Sequence, residues 1–172
     1  MTYHRANHVT MTSAEANKYL RKLNEEREAL LRREFEAMTF LVALGEDPES
    51  ARTDYDYGKT QETLKAINQE IRTVKHALNK FNAETKVPEF DMTIDEMLVY
   101  LPQLRQQRDK LFNMKSALPK IRRKRSDGNL VEYVHINYEI RDALADFEAA
   151  DELLTRAQTA LDKINNTETL TF

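Results

Sequence analysis

Leu64, Ile67, Ile71, Val74, Leu78 and Phe81 follow one another at steps of 3, 4, 3, 4 and 3 residues. Only an α-helix gathers such a set on one side, because a strand would send neighbours three apart to opposite faces. The stripe is narrow, a heptad seam, so the helix packs lengthwise against a partner at a shallow angle. The spacing predicts a helix from about Lys59 to Asn82. A second long helix must therefore lie alongside it, in this chain or in another.

The chain has other elements that suit this role. Thr12-Ser13-Ala14-Glu15 fits a capping box, in which the Thr12 hydroxyl accepts from the Glu15 amide and the Glu15 carboxylate reaches back. An apolar stripe then runs through Ala16, Leu20, Leu23, Leu30, Leu31, Phe35, Met38, Leu41 and Val42, with Gly45 as the expected stop. Residues 46–57 are acidic and carry Pro48, which predicts a loop turning the first helix back on the second. In FNAETKVPEFDMT (81–93), Pro88 ends any helix and Val87–Phe90 suits a short edge strand. Thr93 and Glu96 form a second capping box before a third helix, which Pro102 either kinks or divides. Ile121–Arg125 and Leu130–Ile136 read as a β-hairpin about Ser126-Asp127-Gly128-Asn129, its second arm carrying apolar residues on both faces, one of which a helix would cover. The last helix, from about Tyr138 to Asn165, steps through Ile140, Ala143, Phe147, Ala150, Leu154, Ala157, Leu161 and Ile164. Only 3 of the 172 residues are Gly and 4 are Pro, which favours long helices over a sandwich or barrel.

The expected fold is therefore mainly α: four long helices in an antiparallel, coiled-coil-like bundle, with a β-hairpin near 120–136 between helices three and four. Met11 begins a second plausible start, MTSAE, so residues 1–11 are expected to form a flexible N-terminal extension, with a single helical domain over 12–172.

Several classes of function find no support. The chain has no cysteine, which removes disulfides and thiolate chemistry. Its longest apolar-leaning run, AMTFLVAL (37–44), is too short to span a bilayer, and the first ten residues lack the apolar stretch of a secretory signal. The cytoplasm is the expected location. No His-Glu-x-x-His, Gly-x-Ser-x-Gly or phosphate-binding glycine loop is present, so no catalytic residues and no cofactor are assigned. His4 and His8 stand four apart, His76 lies beside the second helix seam, and His135 lies on the hairpin near Glu132 and Glu139. A metal needs three or four convergent ligands, and no set of that kind is assigned.

The charged residues carry more information. Arg27 and Glu34 fall on the apolar stripe of the first helix, and Arg108 does the same in the third. An unpaired buried charge is costly, so these residues either sit at the edge of the stripe with their heads in water or form a polar network that fixes helix register. Lys120, Arg122, Arg123, Lys124 and Arg125 crowd the first arm of the hairpin and are candidate anion-binding residues. Residues 46–56 hold five acids and one base, and 139–152 hold six and one. A basic hairpin can track phosphates, but nucleic-acid modules usually add stacking aromatics or a groove-filling helix, and only Tyr133 and Tyr138 lie nearby. The same arm can instead meet an acidic surface on a neighbouring subunit.

The blocks EALLRREFEAM (28–38), ALNKFNAET (77–85), MTIDEML (92–98), QQRDKL (106–111), the hairpin and LDKINNTETL (161–170) resemble a septicolysin-like family of small, largely uncharacterised bacterial helical proteins. Asn79, Asn82 and Thr85 match that family's Ile-Asn-x-Thr-Asn-x-x-Thr junction, while Phe81 and Ala83 depart from it, and Asn165 is followed by Asn166 where the family has Trp. The resemblance implies a helical fold with a β-hairpin and homo-oligomerisation, and no reaction. Together these readings predict a helical assembly protein that forms homo-oligomers through its heptad seams. The alternative is binding of nucleic acid or another anionic surface through residues 120–125, and an enzyme stands third.

Overall fold

The computed structural model describes residues 9–124 and 131–172, with Lys124 described for its backbone alone. The described chain is mainly helical, with three small antiparallel strand pairs. Its packing resolves into two compact units, one drawn from Met1–Asn82 and Asn165–Phe172, the other from Ala83–Ile164. The sequence pattern had suggested one helical domain.

The first unit is built on α1 (Ser13–Ala37) and α3 (Tyr57–Glu84). Tyr19, near the start of α1, donates to Glu70, and Glu34, near its end, accepts from Gln61, so the two helices run antiparallel. The seam of α3 is buried as the heptad predicts: Leu64, Ile67, Ile71, Val74 and Leu78. Ile67, Ile71, Val74 and Leu78 pack with Ala16 and Leu23 of α1 and with Leu170. Leu170 comes from β6 (Thr169–Thr171), which pairs with β1 (Thr10–Thr12) in the register Thr10–Thr171, Met11–Leu170 and Thr12–Thr169. Val9 and Phe172 extend the pairing by exchanging two backbone hydrogen bonds. Thr10 and Met11 are thus part of a sheet, where the sequence had suggested a flexible extension through residue 11. The capping box at Thr12 forms as expected, with both reciprocal bonds present. Ser13, the next residue, is buried and donates to Asn165 Oδ1 at 2.7 Å.

α1 stops at Ala37, well before the predicted Gly45. Two causes are visible. The side chains beyond it find no core, since Met38, Phe40, Leu41 and Leu44 are all exposed. The helix end has its own partner instead, as Thr53 Oγ1 donates to the Ala37 carbonyl at 2.9 Å. Gly45 sits in a turn with φ +93°, a conformation that other residues rarely adopt. The acidic connection is not wholly a loop, because Asp47 caps a single helical turn, α2 (Pro48–Ala51). Asp56 then accepts from the Lys59 amide at the start of α3.

The second unit opens with β2 (Lys86–Val87) and β3 (Met92–Thr93), joined through Pro88, Glu89, Phe90 and Asp91. Pro88 therefore lies in the turn and not in the strand. Thr93 caps α4 (Ile94–Lys115) with the second capping box. α4 runs unbroken through Pro102, which lies on its exposed side, where water can serve the carbonyl deprived of its donor. α5 (Ile140–Thr167) lies antiparallel to α4, since Arg108 meets Asp151, Phe112 meets Phe147, and Tyr138 bonds the Met114 carbonyl. Ala143, Ala150 and Ala157 are buried on the inner face of α5, with Leu154, Leu161 and Ile164 between and beyond them. Between α4 and α5 stands the hairpin of β4 (Lys120–Lys124) and β5 (Val131–His135).

Candidate functional site

The hairpin register decides how its charges are displayed. Lys120 pairs with His135, Ile121 with Val134, Arg122 with Tyr133, Arg123 with Glu132 and Lys124 with Val131. Directly opposed residues share a face, and faces alternate along a strand. One face therefore carries Lys120, Arg122, Tyr133 and His135, and the other carries Ile121, Arg123, Glu132 and Val134. The basic run divides, with Arg123 set opposite an acid. The Lys120 ammonium lies 3.9 Å from the centre of the Tyr133 ring, a cation–π contact along the diagonal of the first face. Arg125 and the turn residues Ser126–Asn129 lie outside the described residues. Both hairpin faces are exposed, including Ile121, Val131, Tyr133 and Val134, so neither is covered by a helix as the pattern on the second arm had suggested.

Arg27 and Glu34 find partners within the first unit and Arg108 finds partners within the second. Arg27 pairs with Glu28 at 2.7 Å, while its Nε is buried without a hydrogen-bond partner. Arg108 bridges Asp109 and Asp151, both at 2.9 Å, and its guanidinium lies 5.8 Å from the centre of the Phe147 ring. Glu34 is the best-organised of the three. One carboxylate oxygen accepts from the Tyr55 hydroxyl and from Gln61 Nε2, both at 2.6 Å. The bond to the Glu34 carboxylate, aided by desolvation, pushes the Tyr55 phenol up to about 12, since ionising it would remove the donor and set two negative charges together. This cluster ties the acidic connection back onto α1.

Two open, shallow depressions lie on the surface of the described residues. One runs along α1 between Arg21, Asn24, Glu25, Glu28 and Arg32. Another brings His76 beside Arg72, Lys80 and Phe172. Among the described residues no group of three or more His, Asp or Glu is placed to hold a metal, and His4 and His8 lie outside them. No helix among them is long and apolar enough to cross a membrane.

A crystal structure of a functionally unknown conserved protein from Corynebacterium diphtheriae is similar in fold, with a TM-score of 0.59 over 94% of this chain and 99% of that one, at 15% identity. No family model matches the chain, and no curated protein matches it. The likeness extends to the fold alone.

The apolar surface is not where the heptads pointed. The α3 and α5 seams are buried within the chain and present no open stripe. Besides the hairpin and scattered side chains such as Val99 and Leu118, a run of large apolar residues stays in solvent at the end of α1 and in the segment after it. Phe35 is 71% exposed and Leu41 96%, with Leu31, Met38 and Leu44 exposed alongside them. The sequence carried a signal for this, since Leu31, Phe35 and Met38 are spaced i, i+4 and i+7 on a second stripe, offset from Leu23 and Leu30. The paired termini also had a signal, the alternation Thr169-Leu170-Thr171-Phe172 against Thr10-Met11-Thr12.

Proposed function

We propose that this protein is a non-enzymatic helical assembly protein that acts in the cytoplasm by forming homo-oligomers. The observation that carries this reading is the run of large apolar side chains left in water from Leu31 to Leu44, a contiguous stretch of sequence that a stable monomer gains nothing by exposing. The heptad seams fix the fold of each protomer, and assembly uses side chains off the seams. The resemblance to septicolysin-like proteins, which implies oligomerisation, points the same way. Size-exclusion chromatography with light scattering tests it, with a mass above 20.1 kDa expected at micromolar concentration. A monomer throughout that range would sink the proposal.

A second reading has one observation in its favour. Lys120 and Arg122 share a hairpin face with Tyr133, so two cations flank an exposed ring, a pattern that suits a single-stranded polyanion. Its signature is oligonucleotide binding that weakens with salt and disappears when Arg122, Arg123, Lys124 and Arg125 are changed to Ala. Binding that survives those changes would dismiss it.

A further inference from the structure

We infer that the oligomer, on the assembly reading above, forms head to tail, with the β4–β5 hairpin of one copy seated on the α1–α3 connection of the next. Both surfaces are incomplete as they stand. The hairpin is a two-stranded ribbon, a unit of marginal stability by itself, with an open edge on each side and apolar residues exposed on both faces. The connection exposes Met38, Leu41 and Leu44 and is followed at once by Glu46, Asp47, Glu49, Asp54 and Asp56, with Arg52 the one base among them. Asp47 and Asp56 cap helix starts, accepting from the Glu49 and Lys59 amides. Each apolar patch is thus bordered by charge, basic on the hairpin and acidic on the connection.

That opposition selects the occupant and the symmetry. A twofold contact of hairpin on hairpin through the Tyr133 face sets Lys120 and Arg122 against their own copies. A twofold contact of connection on connection sets five acids against five. Like charges brought together at an interface are strongly disfavoured, while opposed patches attract and set register. Only the pairing of unlike surfaces satisfies both. Such a contact is heterologous, so it leaves a free hairpin at one end and a free connection at the other, and it closes into a ring or continues as a filament.

The test uses the full chain and two charge-reversed variants, R122E/R123E in the hairpin and E49K/D54K in the connection, neither of which removes a helix-capping carboxylate. Light scattering at low salt is expected to show wild-type oligomers that dissociate as salt rises. Each variant alone should associate at least tenfold more weakly, and an equimolar mixture should recover wild-type mass, because reversed hairpins then meet reversed connections. Reversals that leave the wild-type mass unchanged, or a mixture that fails to reassemble, would overturn the head-to-tail contact while leaving the assembly reading standing. A wild-type monomer at all salt concentrations overturns both, and one that binds a single-stranded oligonucleotide through Arg122 and Arg123 gives the hairpin to a polyanion. Circular dichroism checks folding. If either reversal loses helix, R122Q/R123Q and E49Q/D54Q replace them, and each must weaken association at least threefold for the contact to survive.

Discussion

Glu34 shows what a single residue's place in the sequence reveals and what it conceals. Its position on the apolar stripe of α1 marks it as a charge in need of a partner. Nothing within a helical turn supplies one, and its partners, Tyr55 and Gln61, arrive from 21 and 27 residues away. The Tyr55 phenol, raised to about 12, is a direct readout of the cluster. A folded-state pKa above the unfolded value means that the folded protein holds this proton more tightly. The stabilisation is therefore complete below the ordinary tyrosine range near pH 10 and is lost as pH rises through about 12. In an ultraviolet titration, one phenol should ionise near pH 12 in the wild type, vanish in Tyr55→Phe, and move downward in Glu34→Gln. A late step that persists unchanged in Glu34→Gln would separate Tyr55 from Glu34. Arg27 and Arg108 were legible in the same way, as charges on apolar stripes, and their partners were equally out of sequence reach in the case of Asp151.

Among the elements, the caps and seams were readable because they depend on residues within one turn of each other. Both capping boxes formed, at Thr12 and at Thr93. Thr93→Ala removes the hydroxyl that accepts from the Glu96 amide and should cost about 1 kcal/mol in urea unfolding. An unchanged midpoint would mean that water serves that amide equally well. The β2–β3 turn was not readable, because Glu89 and Asp91 adopt positive φ, +72° and +47°, without being Gly or Asn. Glu89 meets Arg156 at 3.3 Å in an exposed ion pair. Positive φ costs a residue with a Cβ roughly 1 kcal/mol or more, while such a pair contributes under about 1 kcal/mol. Glu89→Gly should therefore leave stability level or raise it slightly, and a clear fall in melting temperature would show that the ion pair outweighs the strain. α1 was overpredicted because its apolar period continues to Val42, whereas a helix end is set by which carbonyls find partners, here through Thr53.

For the molecule as a whole, the pairing of β1 with β6 brings the two ends of the described chain together and carries Leu170 into the core of the first unit. Leu170→Ala should destabilise that unit by about 2–5 kcal/mol, the usual range for truncating a buried leucine. A chain beginning at Thr12 keeps the cap but loses Val9, Thr10 and Met11, and its melting temperature should fall. If it does not, residues before Thr12 contribute no more than the flexible extension that the sequence suggested. Of the polar candidates, Arg27 and Glu34 belong to the first unit and Arg108 to the second.

What the sequence determined by itself was local: four long helical segments, their capped starts, the α3 and α5 seams, and the existence of the hairpin. Each rests on a period or a contact closed within a few residues. What only the tertiary structure decided was where those seams are spent, where α1 ends, which strand meets the other terminus, and which side chains stay in water. Those outcomes depend on partners many residues away, and a surface becomes a binding surface only when the rest of the chain declines to cover it. KIRRK, at 120–124, illustrates the difference. Its charge was plain in the sequence, but the register that sets Arg123 against Glu132 and Lys120 over Tyr133 exists only once the second strand is in place.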